Sequence, residues 1–356
     1  MDHHPISELQ GNLHFGEGLL ICSNANRFYY TGFSSSAGML LVSKESADFF
    51  IDFRYYEKAK ATISGCHVIL AGPSYEGLRR QIERYGIKTL YVETGTLSID
   101  MLKRYGDVLP GVAISMEDTF DRLIKKQRSI KTEAEIQNIM RAQQITDDTF
   151  SYILNRIQPG KTEREVMLDM EFYLRRQGSE GVSFDFIVVS GKNSSLPHGV
   201  PSDKKIETGD FITMDFGAVV GGYRSDMTRT VAVGRPNERQ RTVYQTVLEA
   251  QQAALQAIRA GKVCKDIDHV ARSLIDQRGY AGCFGHGLGH SVGIEIHEQP
   301  CLNLTDETIL QPGMIMTVEP GIYLENEFGV RIEDMVAVTE NGCRNLTASP
   351  KDLIIL

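Results

Sequence analysis

The chain changes its hydrophobic rhythm near residue 130. Before that point apolar positions come as short runs at 18–22, 38–42 and 47–51, bounded by Gly, Asn or Ser, with a fourth at 89–92. Runs of that length predict buried strands. Residues 77–85 and 99–105 carry helical spacing instead. The expected result for residues 1–117 is a small α/β domain, a mixed sheet with flanking helices. Residues 118–131 read as a linker, and a second domain spans 132–356.

The second domain opens on helix signals. Thr132-Glu-Ala-Glu135 is a capping box, in which the Thr hydroxyl takes the third backbone N–H and the Glu reaches back. Ile136, Ile139 and Met140, then Phe150, Ile153 and Leu154, recur at helical spacing. Thr162-Glu-Arg-Glu165 is a second capping box, and its helix ends at Gly178, a left-handed cap.

A repeat underlies this half. Pro159-Gly160-Lys161 precedes the helix ending at Gly178, and Ala260-Gly261-Lys262 precedes one ending at Gly279; the two Gly-to-Gly distances are both 18. Each copy then runs into an apolar strand. Gly209-Asp-Phe-Ile-Thr-Met-Asp215-Phe-Gly217 matches Gly313-Met-Ile-Met-Thr-Val-Glu319-Pro-Gly321 in the places of Gly, Thr, acid and Gly. A further acid follows in each, Asp226 and Glu333. Two α-α-β units related by a pseudo-twofold axis, around one curved antiparallel sheet, are expected.

The acids carry the chemistry. A hairpin centred on Val220-Gly221 would place Asp215 directly opposite Asp226, with Cβ atoms roughly 5 Å apart. Two like charges that close favour protonation. Bound cations reverse that preference. Glu319 and Glu333 flank a second turn, near residues 325–329. Four hard oxygen ligands suit a pair of divalent ions such as Mn²⁺, Mg²⁺ or Zn²⁺. Such a pair activates water and polarises a carbonyl, so metal-assisted hydrolysis is expected; aminopeptidases are a known two-metal class. The nitrogen ligand should come from the Gly-rich segment 284–298, which offers His286, His290 and His297, with His198 in Leu196-Pro-His-Gly199 a further candidate.

Composition narrows the partners. A net charge of −8 argues against nucleic acid. No apolar stretch is long enough for a membrane helix, and the opening residues lack the pattern of a secretory leader. Six cysteines without a CxxC pair read as free thiols in a reducing cytoplasm.

The set Asp215, Asp226, His290, Glu319 and Glu333 resembles that of the pita-bread metallopeptidases, peptidase family M24. Matching stretches include Met214-Asp-Phe-Gly, Ser225-Asp-Met-Thr-Arg-Thr, His297-Glu-Gln-Pro, Val318-Glu-Pro-Gly-Ile-Tyr323 and Gly329-Val-Arg-Ile-Glu-Asp334. Gly-Val-Arg331-Ile-Glu333, Asn26-Arg-Phe-Tyr-Tyr-Thr-Gly32 and Ile51-Asp-Phe-Arg54 resemble the proline-specific branch, prolidase and Xaa-Pro aminopeptidase, with its creatinase-like N-terminal domain.

The resemblance implies two divalent ions, Mn first with Co or Zn tolerated. Asp215 would bind one, His290 and Glu319 the other, with Asp226 and Glu333 bridging. Glu319 would relay a proton. His198 and His297 would contact substrate and the tetrahedral intermediate, Arg331 would orient the Glu333 carboxylate, and Phe184 would sit near a proline pocket. It further implies a cytoplasmic homodimer acting on small peptides with proline second; dipeptides and longer peptides both remain open. An inactive binding module or a creatinase-like C–N hydrolase on the same fold fits less well, because the acidic set is intact.

Overall fold

The structure is a computed structural model that describes residues 5–72 and 74–356. Residues 1–4, the start of the stretch that lacks a leader pattern, lie outside the described residues. The chain forms two compact units, 1–128 and 129–356.

The first unit begins with α1 (Pro5–Asn12), β1 (Glu17–Ile21) and α2 (Asn24–Thr31). The hairpin β2 (Met39–Ser43) and β3 (Ala47–Ile51) follows, then α3 (Phe53–Thr62) and β4 (His67–Leu70). Next come α4 (Glu76–Arg84), β5 (Thr89–Val92), α5 (Ile99–Val108), β6 (Ala113–Ser115) and α6 (Thr119–Ser129). The strands build one mixed sheet in the order β4-β3-β2-β1-β5-β6. Leu19 and Ile21 join a core on one face while Leu20 joins a core on the other. Both faces are covered, which is why these strands read as unbroken apolar runs.

Helices α2 and α3 escaped the sequence reading because they are short and aromatic, and declare themselves mainly by their caps. Ser23 accepts from Asn26 N–H, Gly32 closes α2 at φ 65°, and Asp52 caps α3. The motif 26–32 is structural within this unit: the Arg27 guanidinium, 2 % exposed, donates to Cys22 O and Ser35. The stretch 118–131, read as a linker, is mostly helix α6. Its Phe120 and Ile124, one helical turn apart, are buried in the first unit's core.

The second unit starts with α7 (Glu133–Leu154), α8 (Glu163–Arg176), β7 (Ile187–Ser190) and β8 (Phe211–Phe216). It continues through β9 (Val219–Val220), β10 (Tyr223–Arg224) and β11 (Met227–Ala232) to α9 (Glu238–Ala257) and α10 (Cys264–Ile275). The last strands are β12 (Gly289–Ser291), β13 (Glu298–Leu302), β14 (Ile315–Val318), β15 (Gly321–Leu324), β16 (Phe328–Arg331), β17 (Asp334–Val338) and β18 (Cys343–Asn345). Both expected capping boxes are formed, and Asn237 with Gln240 makes a third at the start of α9.

The repeat is visible in the backbone. Gly160 and Gly261 adopt φ 95° and 82°, Gly178 and Gly279 98° and 89°, Gly209 and Gly313 101° and 88°. Gly160 N–H donates to Ile206 O and Gly261 N–H to Leu310 O; Ile206 and Leu310 return the bond to Lys161 and Lys262. The strands form two main antiparallel ladders, β11-β8-β7 and β13-β12-β14-β17-β18, with the small ribbons β9-β10 and β15-β16 beside them.

One register differs from expectation. Asp215 pairs with Thr228, and Val220 with Tyr223, so Asp226 is not directly opposite Asp215. The turn is centred one residue later, on Gly221-Gly222, whose φ values of 57° and 75° only glycine adopts freely. The register moves by two residues, an even step, so both acids keep the same face.

The closing glycine of each repeat strand is a point of close approach. A Cβ on Gly217 would lie 1.9 Å from Ser225 O, and one on Gly321 2.5 Å from the Tyr323 hydroxyl. Gly217→Ala is expected to lower stability by about 1–3 kcal/mol or more in urea unfolding; an unchanged midpoint would show that the ribbon yields without strain.

Candidate metal centre

Strand ends deliver the acids. Asp215 lies near the end of β8, Asp226 immediately before β11, Glu319 immediately after β14 and Glu333 immediately before β17. The second acid of each repeat thus occupies the same place, at the entry of a returning strand. Oxygens of Asp215, Asp226 and Glu333 all lie within 4.8 Å of one another. His290, in the middle of β12, points Nε2 at the group, 3.5 Å from Asp226 Oδ2 and 3.4 Å from Glu319 Oε1. Its Nδ1 is 3.2 Å from Ser291 O. A carbonyl only accepts, so Nδ1 carries the proton and Nε2 keeps its lone pair for a ligand.

The electrostatics ask for a cation. Asp215 Oδ1, Asp226 Oδ1 and Glu333 Oε1 are buried without a hydrogen-bond partner. Burial first, then the neighbouring acids, push Asp226 and Glu333 well above the ordinary carboxylate range. Burial raises Glu319 to about 8 and lowers His290 to about 4. Neutral imidazole is the form a metal needs, and a divalent ion would restore the carboxylates to their charged form. The donor set therefore fits a hard divalent metal.

Surrounding hydrogen bonds fix the cluster. Arg331, 3 % exposed, donates from Nη2 to Asp215 Oδ2 at 2.7 Å and from Nε to Thr228 Oγ1 at 3.0 Å. Thr228 Oγ1 donates to Glu333 Oε2 at 2.7 Å. Arg331 was expected to orient Glu333 directly; it holds Asp215 and reaches Glu333 only through Thr228. The reason is that β16 ends at Arg331, so Glu333 leaves that ladder and donates its N–H to Thr228 O. Behind Glu333, Arg229 binds the Glu333 carbonyl and pairs with Asp334, both side chains at most 1 % exposed. Thr317 Oγ1 accepts from His290 N–H and donates to Glu319 Oε1.

The cluster opens into a cavity of about 840 Å³. His198, His297 and Phe184 all line it. His198 is an exposed residue in the loop after a short 3₁₀ turn at Gly191–Ser195. The His297 ring stands edge-on to His290, centroids 4.5 Å apart. Phe184 is half-buried on the cavity wall with Ile187 and Val200, while its near neighbour Phe186 packs on Phe216 in the core.

Two side chains escaped the sequence reading as a unit. His286 Nε2 accepts from the Tyr323 hydroxyl at 2.8 Å, and Arg331 Nη1 donates to the same hydroxyl at 2.8 Å. His286 was legible only as one of several histidines in a Gly-rich run, and Tyr323 only as part of a motif. The loop that carries His286 is held by α10: Arg272 donates to Phe284 O and His286 O, and the buried Asp268 accepts from Leu288 N–H.

The model of "Metallopeptidase family M24" matches residues 137–340, and that of "Creatinase/Prolidase N-terminal domain" matches 15–130. An Xaa-Pro dipeptidase of Pyrococcus horikoshii is 39% identical over 345 residues, covering 95% of this chain and 94% of that protein. The solved structure of an Xaa-Pro dipeptidase from Bacillus anthracis superposes with a TM-score of 0.95 at 41% identity, over 99% of each chain. That of an X-Pro aminopeptidase from Thermotoga maritima gives 0.91 at 35% identity, covering 99% of this chain and 98% of that one. With a family model over more than half its length and relatives aligned nearly end to end, this chain belongs to metallopeptidase family M24, with a creatinase/prolidase N-terminal domain preceding the peptidase domain.

Proposed function

We propose that this protein hydrolyses the peptide bond before proline, in Xaa-Pro dipeptides or at the N-terminus of short Xaa-Pro peptides. Two divalent ions would be held by Asp215, Asp226, His290, Glu319 and Glu333, with Asp226 and Glu333 shared between them. The observation that carries this reading is that Asp215, Asp226 and Glu333, all lining the cavity, bring carboxylate oxygens within 4.8 Å of one another, and each keeps a buried oxygen with no hydrogen-bond partner. When bound, such ions supply Lewis-acid chemistry, polarising the scissile carbonyl and lowering the pKa of water; Mn²⁺ suits the oxygen-rich set, and Co²⁺ or Zn²⁺ tolerate it.

The chain's own residues do the rest. Glu319, ionised once a divalent ion offsets the burial that otherwise keeps it protonated, would take a proton from the attacking water and pass it to the departing proline nitrogen. His198 and His297 donate hydrogen bonds to the oxygen that gains charge in the tetrahedral intermediate. Arg331 keeps Asp215 oriented through its 2.7 Å contact with Oδ2. Phe184, Ile187 and Val200 offer an apolar wall for the pyrrolidine ring. Proline needs such a wall because its bond has no N–H to recognise and its ring fixes φ. Free thiols at all six cysteines fit a reducing compartment, and no described helix is long and apolar enough to cross a membrane.

Mn²⁺-loaded protein is expected to cleave Ala-Pro, and Asp226→Asn to reduce release of free proline below detection; loaded protein that turns over no Xaa-Pro peptide would refute the assignment. Arg331→Lys should lower kcat/KM about 10–100-fold, because an ammonium cannot span Asp215, Tyr323 and Thr228 together.

Stability should also depend on pH in a metal-linked way. In stripped protein the folded-state values of Glu319, Asp226 and Glu333 are all raised. The folded state therefore holds protons that the unfolded chain releases near the ordinary carboxylate values of 4.5 and 3.8. Stability from these groups is complete below that range and falls as pH rises towards about 8. Urea unfolding with and without chelator should show a gap that widens from acid to neutral pH; a gap that narrows contradicts the metal reading.

A further inference from the structure

The loop joining β12 to β13 carries His297 and follows directly on His290. Its ends meet irregularly. His290 faces Cys301, yet the next residue, Ser291, faces Glu298. This is a bulge, a device that bends a strand and re-aims a side chain. Here it accompanies the turn of His290 towards Asp226 and Glu319, and it leaves residues 292–297 as a closed loop.

Lys131 stands behind that irregular pair. Its ammonium lies 2.9 Å from Ser291 Oγ and 3.2 Å from Glu298 Oε2, so it bridges both sides of the loop's neck. The Lys131 and Glu298 side chains are 1% and 6% exposed. Lys131 is itself fixed by its backbone, whose N–H donates to Gly313 O beside the Ile130–Met314 bridge. Glu298 closes the loop by accepting from the N–H groups of Ile294 and Glu295. Replacing a buried ion pair by apolar groups of similar volume is often neutral or stabilising. Fold stability alone therefore gives little reason for a buried lysine here, and the reaction uses neither partner.

We propose that Lys131 is a positioning residue for the histidine ribbon: by bridging Ser291 and Glu298 it fixes the bulge that aims His290 into the carboxylate cluster and the loop that presents His297 beside it. The proposal rests on the reading of His290 as a metal ligand and His297 as a substrate contact.

The test uses Co²⁺ as a spectroscopic probe in the full-length protein. Lys131→Met, Lys131→Arg and the double variant Lys131→Met/Glu298→Leu are titrated with Co²⁺ while visible absorption is recorded, and kcat and KM are measured on Ala-Pro. Lys131→Met should weaken Co²⁺ binding about 10–100-fold, as loss of an outer support for a ligand does, shift the absorption band of the His-bound ion, and lower kcat more than it raises KM. Lys131→Arg, which keeps the charge, should recover part of each loss. The double variant leaves no charge buried alone, so it should fold while keeping the weakened Co²⁺ binding.

A folded double variant with wild-type Co²⁺ affinity, spectrum and kcat overturns the proposal. So does a set in which Lys131→Met and the double variant only unfold, since the pair would then serve the fold alone. Wild-type protein that binds Co²⁺ but cleaves no Xaa-Pro peptide would defeat the substrate reading instead, and the Co²⁺ titration would still decide this one.

Discussion

Four carboxylates share a poorly solvated space, and the rest of the second unit is arranged around that repulsion. Two unit charges about 4 Å apart interact by about 4 kcal/mol at an effective dielectric near 20. A protein's whole net stability is about 5–15 kcal/mol. Asp215, Asp226, Glu319 and Glu333 therefore cannot all remain ionised together on the strength of packing alone. Either protons or cations must neutralise them. Asp215, Asp226 and Glu333 each keep a buried oxygen without a hydrogen-bond partner, and burial pushes the imidazole of His290 towards its neutral form, the form a metal would need.

The repeat explains how one chain brings these groups together. Each half contributes one acid near the end of an outgoing strand and one at the start of the returning strand. The left-handed glycines set the turns at matching places in both halves. Cross-links then join the halves: Thr230 Oγ1 donates to Arg331 O, Glu333 N–H donates to Thr228 O, and Arg331 reaches from the second ribbon to Asp215 in the first. The same side chains that lock the two ribbons also orient the carboxylates. A preorganised site of this kind needs no rearrangement when charge develops on the substrate.

Much of this was legible in the residues because periodicity and spacing are local. The apolar runs gave the mixed sheet, the capping boxes gave α7 and α8, and the paired Gly-x-x-x-Thr-x-acid-x-Gly strands gave the symmetry. What escaped depends on tertiary contact. The hairpin register was missed by two residues because Gly221-Gly222 is the better turn, yet the even step kept both acids on one face. Arg331 was assigned to Glu333 from strand alternation, and the end of β16 sent it to Asp215. The link between His286 and Tyr323 spans a separation that no pattern encodes. Helix α6 reads as a linker in sequence because its charged residues outweigh the few apolar ones, Phe120 and Ile124 among them, that hold it to the first unit's core.

The central claim is that Asp215, Asp226, His290, Glu319 and Glu333 enclose a pair of divalent ions. Anomalous scattering from Mn²⁺-loaded crystals tests it most directly. Two peaks are expected, with the Asp226 and Glu333 carboxylates between them and His290 on the Glu319 side. No peak at this cluster in loaded crystals, or manganese bound only elsewhere, would contradict it.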